Sequence, residues 1–223
     1  MQEIELKEET MNFRFQEAYK TLRTNIEFSG ENIRAICLTS CTPSEGKSSV
    51  SFELAKSFAE SGKKVLLVDA DLRKSRMKQY YKRGRIRYGL THYLVANKEL
   101  EDVTCQTDVP NLNMIFSGPI PPNPSELLGS SRFQKLISAG KELYDMVIVD
   151  TPPLGTVIDA AVVARVMDGS ILVIESGAIS YRFVRQVQDQ LMKAGSKILG
   201  VVLNKVNLTG KSHGRYYGGY YGE

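Results

Sequence analysis

The residues most able to do chemistry close the stretch from Leu38 to Val50, which reads LTSCTPSEGKSSV and ends in Gly46, Lys47 and Ser48. A glycine, a lysine and a hydroxyl in that order can hold phosphate: backbone N–H groups curl around phosphate oxygens at a helix N-terminus, the lysine reaches the outer phosphates, and the hydroxyl ligates Mg2+. Thr42, Ser44, Glu45, Gly46, Lys47, Ser48 and Ser49 are therefore the expected phosphate-binding residues. The pattern G-x-x-x-x-G-K-[ST] is broken at one place, because Cys41 stands where its first glycine would be. Taken alone, the loop could also be an ordinary Gly-Lys turn before a helix.

Carboxylates occur where a Mg-nucleotide would need them. Asp69 and Asp71, followed by Arg73, come directly after the apolar run Val65 to Val68, and Asp150 ends a second such run, Val147 to Val149. Ligands of open α/β sheets bind at the carboxyl ends of strands. Asp71 and Asp150 are expected, with Ser48, to hold Mg2+, and Asp150 has the shape of a Walker B residue. Asp69 is the candidate proton acceptor, and the division of roles between Asp69 and Asp71 stays open. Arg73 would orient this pair or meet phosphate. A plain surface turn is the alternative for Asp69 and Asp71, since aspartate is common in turns.

The elements that must position these groups follow from apolar periodicity. Strands are expected at Ala35–Leu38, Val65–Val68, Leu112–Phe116, Tyr144–Asp150, Ser170–Glu175 and Ile198–Asn204. Helices are expected from about Asn12 to Phe28, from the phosphate loop to Ser61, over Gly89–Leu94, from Ser125, over Ala160–Val166 and over Tyr181–Ala194. Strands alternating with helices imply right-handed parallel crossovers. The fold class is thus α/β, with a mostly parallel central sheet flanked by helices on both faces, a three-layer sandwich. Residues 1–10 look like a loose acidic arm, and this polar start is unlike a secretory signal. The Pro-rich run from Ser117 to Pro124 can be neither helix nor central strand.

Composition limits the function. The 223 residues suit one domain with short appendages, 42% hydrophobic content supplies a core, and a net charge of +4 does not by itself call for nucleic acid. No apolar run is long enough for a transmembrane helix. Cys37, Cys41 and Cys105 lack metal-ligand or redox spacing, and with His92 and His213 as the two histidines no histidine-based metal site is expected. The cytoplasm is the default compartment. Between Arg73 and Arg87 eight basic residues interleave with Tyr80 and Tyr81. Such a segment could be a solvated face, a nucleic-acid surface, or a docking surface for an acidic partner or a phosphotyrosine tail.

The last residues have almost no aliphatic side chains. Tyr216, Tyr217, Tyr220 and Tyr221 occur as pairs among glycines, which predicts a flexible low-complexity tail at 207–223. The expected division is residues 1–30 as arm and first helix, 31–206 as the P-loop domain, and 207–223 as tail.

The phosphate loop, the Leu66–Arg73 segment, Val147–Pro153, Gly118–Leu128, Gly200–Asn204 and this tail together resemble the bacterial tyrosine kinases of capsular and exopolysaccharide synthesis, in the Gram-positive form with a separate membrane activator. Partition and division-site ATPases carry a signature lysine four residues before the loop glycine, and here that position is Thr42. The resemblance implies a P-loop kinase that uses ATP and Mg2+ to phosphorylate protein tyrosine, first its own Tyr216, Tyr217, Tyr220 and Tyr221, and then other proteins. It implies a homo-oligomeric ring such as an octamer, assembled through an E-x-x-R-x-x-R helix represented here by Glu17, Lys20 and Arg23. Lys20 departs from that pattern and loses the planar fork of arginine. It also implies activation by the cytoplasmic segment of a transmembrane chain-length regulator, which would recruit a cytoplasmic chain to the inner membrane face. Asn204 becomes a candidate contact for the base. No nucleic-acid partner is expected.

Two rival readings remain at this level. One is a non-kinase P-loop ATPase that switches between monomer and dimer. The other is a binding module with a structural nucleotide and an adhesive tyrosine tail.

Overall fold

A computed structural model of the chain describes residues 1–7 and 12–207. The tail tyrosines Tyr216, Tyr217, Tyr220 and Tyr221 lie outside the described residues.

The first half of the chain runs β1 (Gln2–Leu6), α1 (Phe13–Phe28), β2 (Ala35–Ser40), α2 (Lys47–Glu60), β3 (Val65–Asp69), a 3-10 turn (Met77–Tyr80), β4 (Tyr81–Gly84), α3 (Leu90–Leu94), α4 (Leu100–Val103) and β5 (Cys105–Thr107). The second half runs β6 (Leu112–Ile115), α5 (Pro124–Leu128), α6 (Ser131–Leu143), β7 (Met146–Asp150), α7 (Asp159–Ala164), β8 (Gly169–Glu175), α8 (Tyr181–Lys193) and β9 (Ile198–Asn204). Among the described residues the strands form one sheet in the order β4-β1-β5-β6-β3-β7-β2-β8-β9. Only the β1–β4 and β5–β6 pairs are antiparallel.

Strand alternation divides the core between the two faces. Ala35 and Cys37 of β2, Leu66 and Val68 of β3 and Val147 and Val149 of β7 join Leu90, Phe133, Leu136, Val163 and Leu191 of the helices on one side. Ile36 and Leu38, Val65 and Leu67, and Met146 and Ile148 join Val50, Leu54 and Phe58 of α2 and Ile26 of α1 on the other. Each fully buried large side chain contributes about 1.5–3 kcal/mol relative to exposure. β2, β3 and β7 are buried along their whole length, so they read as unbroken apolar runs in the sequence.

The N-terminal residues differ from the expected loose acidic arm. β1 pairs in parallel with β5 and antiparallel with β4, and Ile4 and Leu6 are buried beneath the α2 side of the sheet. Glu3 and Glu5 alternate with them and stay exposed, so the acidic composition masked a period-two strand. The basic segment is likewise structured. Tyr80 stacks on Phe52 with ring centroids 4.1 Å apart, while Lys78, Lys82, Arg83, Arg85 and Arg87 remain exposed.

α1 begins where the sequence predicts, with the Asn12 side chain accepting the Phe15 N–H as an N-cap. The three expected assembly residues do not share one surface role. Lys20 Nζ sits 2.7 Å from Glu17 Oε1 on the exposed face. Arg23 turns inward, its guanidinium donating to the Ser57 carbonyl on α2 at 2.6 Å.

Candidate functional site

β2 delivers the chain to a tight loop, and backbone geometry explains the residue types there. Gly46 precedes α2 with φ +87°, in the left-handed region that favours glycine. A Cβ at Gly46 would lie 2.0 Å from Asn204 Nδ2. Ser44 is also left-handed, at φ +71°. The loop is braced from within: Glu45 is buried, and its Oε2 accepts the Thr42 N–H at 2.7 Å. The end of β9 braces it from outside. Asn204 Nδ2 donates to the Glu45 carbonyl at 2.9 Å, and Lys205 Nζ donates to the Ser44 carbonyl at 2.7 Å and to Glu175 at 2.8 Å. Ser49 faces the other way and meets the Tyr80 hydroxyl at 2.9 Å. Cys41 is wholly buried, which pushes its thiol up to about 12, with Glu45 adding to the shift.

Three side chains from the first turns of α2 converge on Asp150 at the end of β7. Lys47 Nζ lies 2.6 Å from Oδ1, the Ser48 hydroxyl 2.7 Å from Oδ2, and the Ser51 hydroxyl 2.9 Å from Oδ1. Asp150 has no exposed surface. A lysine, hydroxyls and a carboxylate at a helix N-terminus suit an anion and a hard divalent cation bound side by side. Among the described residues no cluster of three or more His, Cys, Asp or Glu side chains could hold a metal ion alone. The Ser48 hydroxyl and the Asp150 carboxylate, 2.7 Å apart, are hard oxygen donors of the kind that hold Mg2+ together with phosphates.

Asp69 sits one strand away. β3 and β7 pair in parallel with Asp69 in register with Asp150. Asp69 is 1% exposed. Its carboxylate accepts the Ser75 hydroxyl, the Ser117 N–H at 3.2 Å and the Asp71 N–H at 3.3 Å. Burial, followed by the charge of Asp150, raises it from the ordinary carboxylate range to about 7, against the opposing pull of Ser75, Ser117 and Lys47. Asp71 is buried two residues further on, and its Oδ1 accepts the Arg73 and Lys74 N–H groups at 3.2 and 2.9 Å.

Arg73 meets the acidic pair through its backbone, its N–H donating to Asp71 Oδ1, while among the described residues its side-chain hydrogen bonds go to Asp159 and Ser125. Its Nε and one terminal nitrogen grip both oxygens of Asp159, at 2.7 and 3.0 Å. Asp159 opens α7 and is fully buried, and Ser125 of α5 donates to it at 2.6 Å. The hydrogen bond and charge of Asp159 push the guanidinium further above its ordinary range. Asp159, Ser51, Ser75 and Lys205 were not singled out in the sequence. Ser51 could have been, since it lies one helical turn after Lys47. Asp159 carries no local signal and meets Arg73 only through the fold.

Residues 33–198 match the family model of the AAA domain. Tyrosine-protein kinase CpsD of Streptococcus agalactiae is 44% identical over 208 residues, covering 93% of this chain and 90% of that protein. The chain belongs to this family of tyrosine-protein kinases. Tyrosine-protein kinase YwqD of Bacillus subtilis is 40% identical to the kinase over 205 residues, covering 91% of this chain and 86% of that one. Among solved structures, the kinase domain of Escherichia coli tyrosine kinase ETK is 36% identical with a TM-score of 0.79, covering 86% and 77% of the two chains. The chimerical protein CapA2B2 is 34% identical with a TM-score of 0.79, covering 85% and 84%. The septum site-determining protein MinD of Pyrococcus horikoshii, solved with Mg-ADP, is 25% identical with a TM-score of 0.65, covering 77% and 70%. The kinase therefore has the fold of a P-loop nucleotide-binding protein, and its loop and Asp150 present donors of the type that a Mg-nucleotide requires. Among the described residues no helix is long and apolar enough to cross a membrane.

Proposed function

We propose that this kinase transfers the γ-phosphoryl group of ATP to Tyr216, Tyr217, Tyr220 and Tyr221 of its own C-terminal cluster. The transfer occurs in trans between chains of a homo-oligomeric ring. In this reading the enzyme regulates capsular or exopolysaccharide synthesis and export. It is recruited and activated by the cytoplasmic segment of a membrane chain-length regulator, and it also phosphorylates other proteins on tyrosine.

The observation that supports this best is Asp69, a buried carboxyl raised to about 7 and held in register with the phosphate-loop partner Asp150. A phenol has a pKa of about 10 and is a poor nucleophile at neutral pH. A general base works best when its own pKa lies near the working pH. The phenol oxygen forms a bond to the γ-phosphorus as the bond to the β,γ-bridging oxygen breaks, ADP leaves, and the phenol proton passes to the Asp69 carboxylate.

Lys47 and the N-terminal amides of α2 stabilise charge on the transferring group. Ser48 and Asp150, with Asp71, would hold Mg2+, whose chemistry there would be to neutralise phosphate charge. Asn204 braces the loop through the Glu45 carbonyl, and it remains the candidate contact for the base.

Trans transfer rests on reach: chain geometry allows a segment of this length at most ~50 Å at ~3.4 Å per residue, a limit that admits a neighbour's site. A Lys47→Met full-length chain is mixed with an active chain lacking residues 207–223, and the tail is analysed by mass spectrometry. Phosphate on the inactive chain's tail is expected. An unmodified tail beside a wild-type control that autophosphorylates would overturn transfer in trans.

A further inference from the structure

Arg73 joins two systems that the proposed reaction leaves unconnected. Its backbone N–H donates to Asp71 Oδ1 at 3.2 Å, and its guanidinium is gripped by both oxygens of Asp159 at 2.7 and 3.0 Å. Asp159 has no exposed surface, yet it takes part in no contact with the phosphate loop, Asp69 or Asp150 among the hydrogen bonds of the described residues. A fully buried carboxylate is unfavourable unless it is paired and hydrogen-bonded. Here the pairing is bidentate and charge-assisted, the strong and directional form of such a contact. Ser125 completes it from α5, donating to Asp159 Oδ1 at 2.6 Å and lying 3.1 Å from the guanidinium.

We infer that Asp159, with Ser125, is a positioning residue for phosphoryl transfer: it clamps Arg73 and so fixes the segment that presents the Asp71 carboxylate. The segment following β3 has no regular structure between Asp69 and the turn at Met77, so its shape depends on side-chain anchors. Asp71 is tied to the Arg73 and Lys74 N–H groups, and Arg73 is in turn tied to the rigid start of α7 and to α5. The Pro-rich loop before α5 thereby gains a purpose, since Pro124 at the first helical position sets where Ser125 meets Asp159. Loss of the clamp leaves the phosphate loop intact and lets the Asp71 carboxylate drift. Displacement of a reacting group by about 1 Å can slow a reaction by about 10²-fold.

This inference rests on the proposed role of Asp71 in the transfer. The test uses the full chain with Mg-ATP and reads the rate of tail phosphorylation at saturating ATP together with the affinity for ADP in the absence of Mg2+. Asp159→Asn keeps the shape of the side chain and removes its charge, while Arg73→Lys keeps the charge and removes the fork. Each is expected to lower the rate by about 10- to 10²-fold with affinity for metal-free ADP changed less than about threefold, because the phosphate loop itself is untouched. Asp71→Asn combined with Asp159→Asn is expected to be no slower than Asp71→Asn alone, because both act through one carboxylate. Losses that multiply in the double variant, or a rate unchanged in both single variants, would overturn the inference. Should Asp71→Asn itself leave the rate unchanged, the proposed role of Asp71 fails instead. Arg73→Lys keeps the question decidable if Asp159→Asn does not fold.

Discussion

Lys47 and Asp150 form a sealed ion pair, with Nζ 2.6 Å from Oδ1, the lysine side chain 6% exposed and the aspartate not at all. The same lysine that must serve phosphate is thus held by a carboxylate, and two hydroxyls complete the carboxylate's partners. Removing one member of a buried pair strands the other, at a cost of about 3–5 kcal/mol when nothing else compensates. Ser48 and Ser51 compensate in part. Lys47→Met is therefore expected to lower stability by a few kcal/mol and to abolish transfer. Adding Asp150→Asn should restore much of the stability and none of the activity. Chemical denaturation of the two variants checks this, and a double variant no more stable than Lys47→Met would contradict it.

Asp69 carries a pH signature whose sign is fixed. Its folded-state pKa of about 7 lies above the unfolded value, so the folded chain binds the extra proton between them. Its favourable contribution is complete below the ordinary aspartate range and is lost as pH rises through about 7. Asp69→Asn is expected to stabilise the nucleotide-free chain at pH 8 by on the order of a few kcal/mol and by clearly less at pH 5. Asp168 behaves oppositely. Burial alone would raise it, but the hydrogen bonds from Lys141 and from the Arg34 and Ala35 N–H groups outweigh burial and hold it below its ordinary value. Its contribution is present above the unfolded pKa and is lost as pH falls through the folded one. Denaturation curves at pH 5 and 8 separate the two groups, and equal Asp69→Asn effects at both values would refute the reading of Asp69.

The loop glycine gives a third expectation. Gly46→Ala meets both a left-handed backbone, at about 1–2 kcal/mol, and the Asn204 amide that its Cβ would strike at 2.0 Å. Loss of Mg-ADP affinity is expected, with partial recovery when Asn204→Ala is added. Calorimetric titration measures both, and an absence of recovery would show that the backbone strain alone decides.

α1 supplies a fourth. The Glu17–Lys20 pair is solvent-facing, and exposed pairs contribute about 0–1 kcal/mol. Arg23 instead bridges α1 to α2 through the Ser57 carbonyl. Arg23→Ala should therefore lower the melting temperature of the isolated chain, whereas Lys20→Ala should leave it unchanged and affect assembly alone. Mass photometry beside thermal melting distinguishes the two, and equal melting of both variants with wild type would contradict the bridge.

The parts of the site that the sequence made legible are those that local rules dictate. β2, β3 and β7 are buried on both faces, so each appears as an apolar run with its polar residue at the carboxyl end, and this fixed the neighbourhood of Gly46, Asp69 and Asp150 without a structure. β1 escaped because Glu3 and Glu5 dominate its composition, although Ile4 and Leu6 already alternate with them. The guanidinium partner of Arg73 was not legible, because Asp159 lies 86 positions away on α7. Arg23 shows the same effect on a helix: spacing placed it on an arc with Glu17 and Lys20, but a long side chain can turn from that arc to reach a neighbouring helix.

Mass spectrometry of the C-terminal residues after incubation of the full chain with Mg-ATP and the cytoplasmic segment of the activating partner tests the central claim most directly. The account predicts phosphate on Tyr216, Tyr217, Tyr220 or Tyr221 of the wild-type chain, and loss of that signal in both Lys47→Met and Asp69→Asn. Equal tail phosphorylation in Asp69→Asn and wild type would contradict the account.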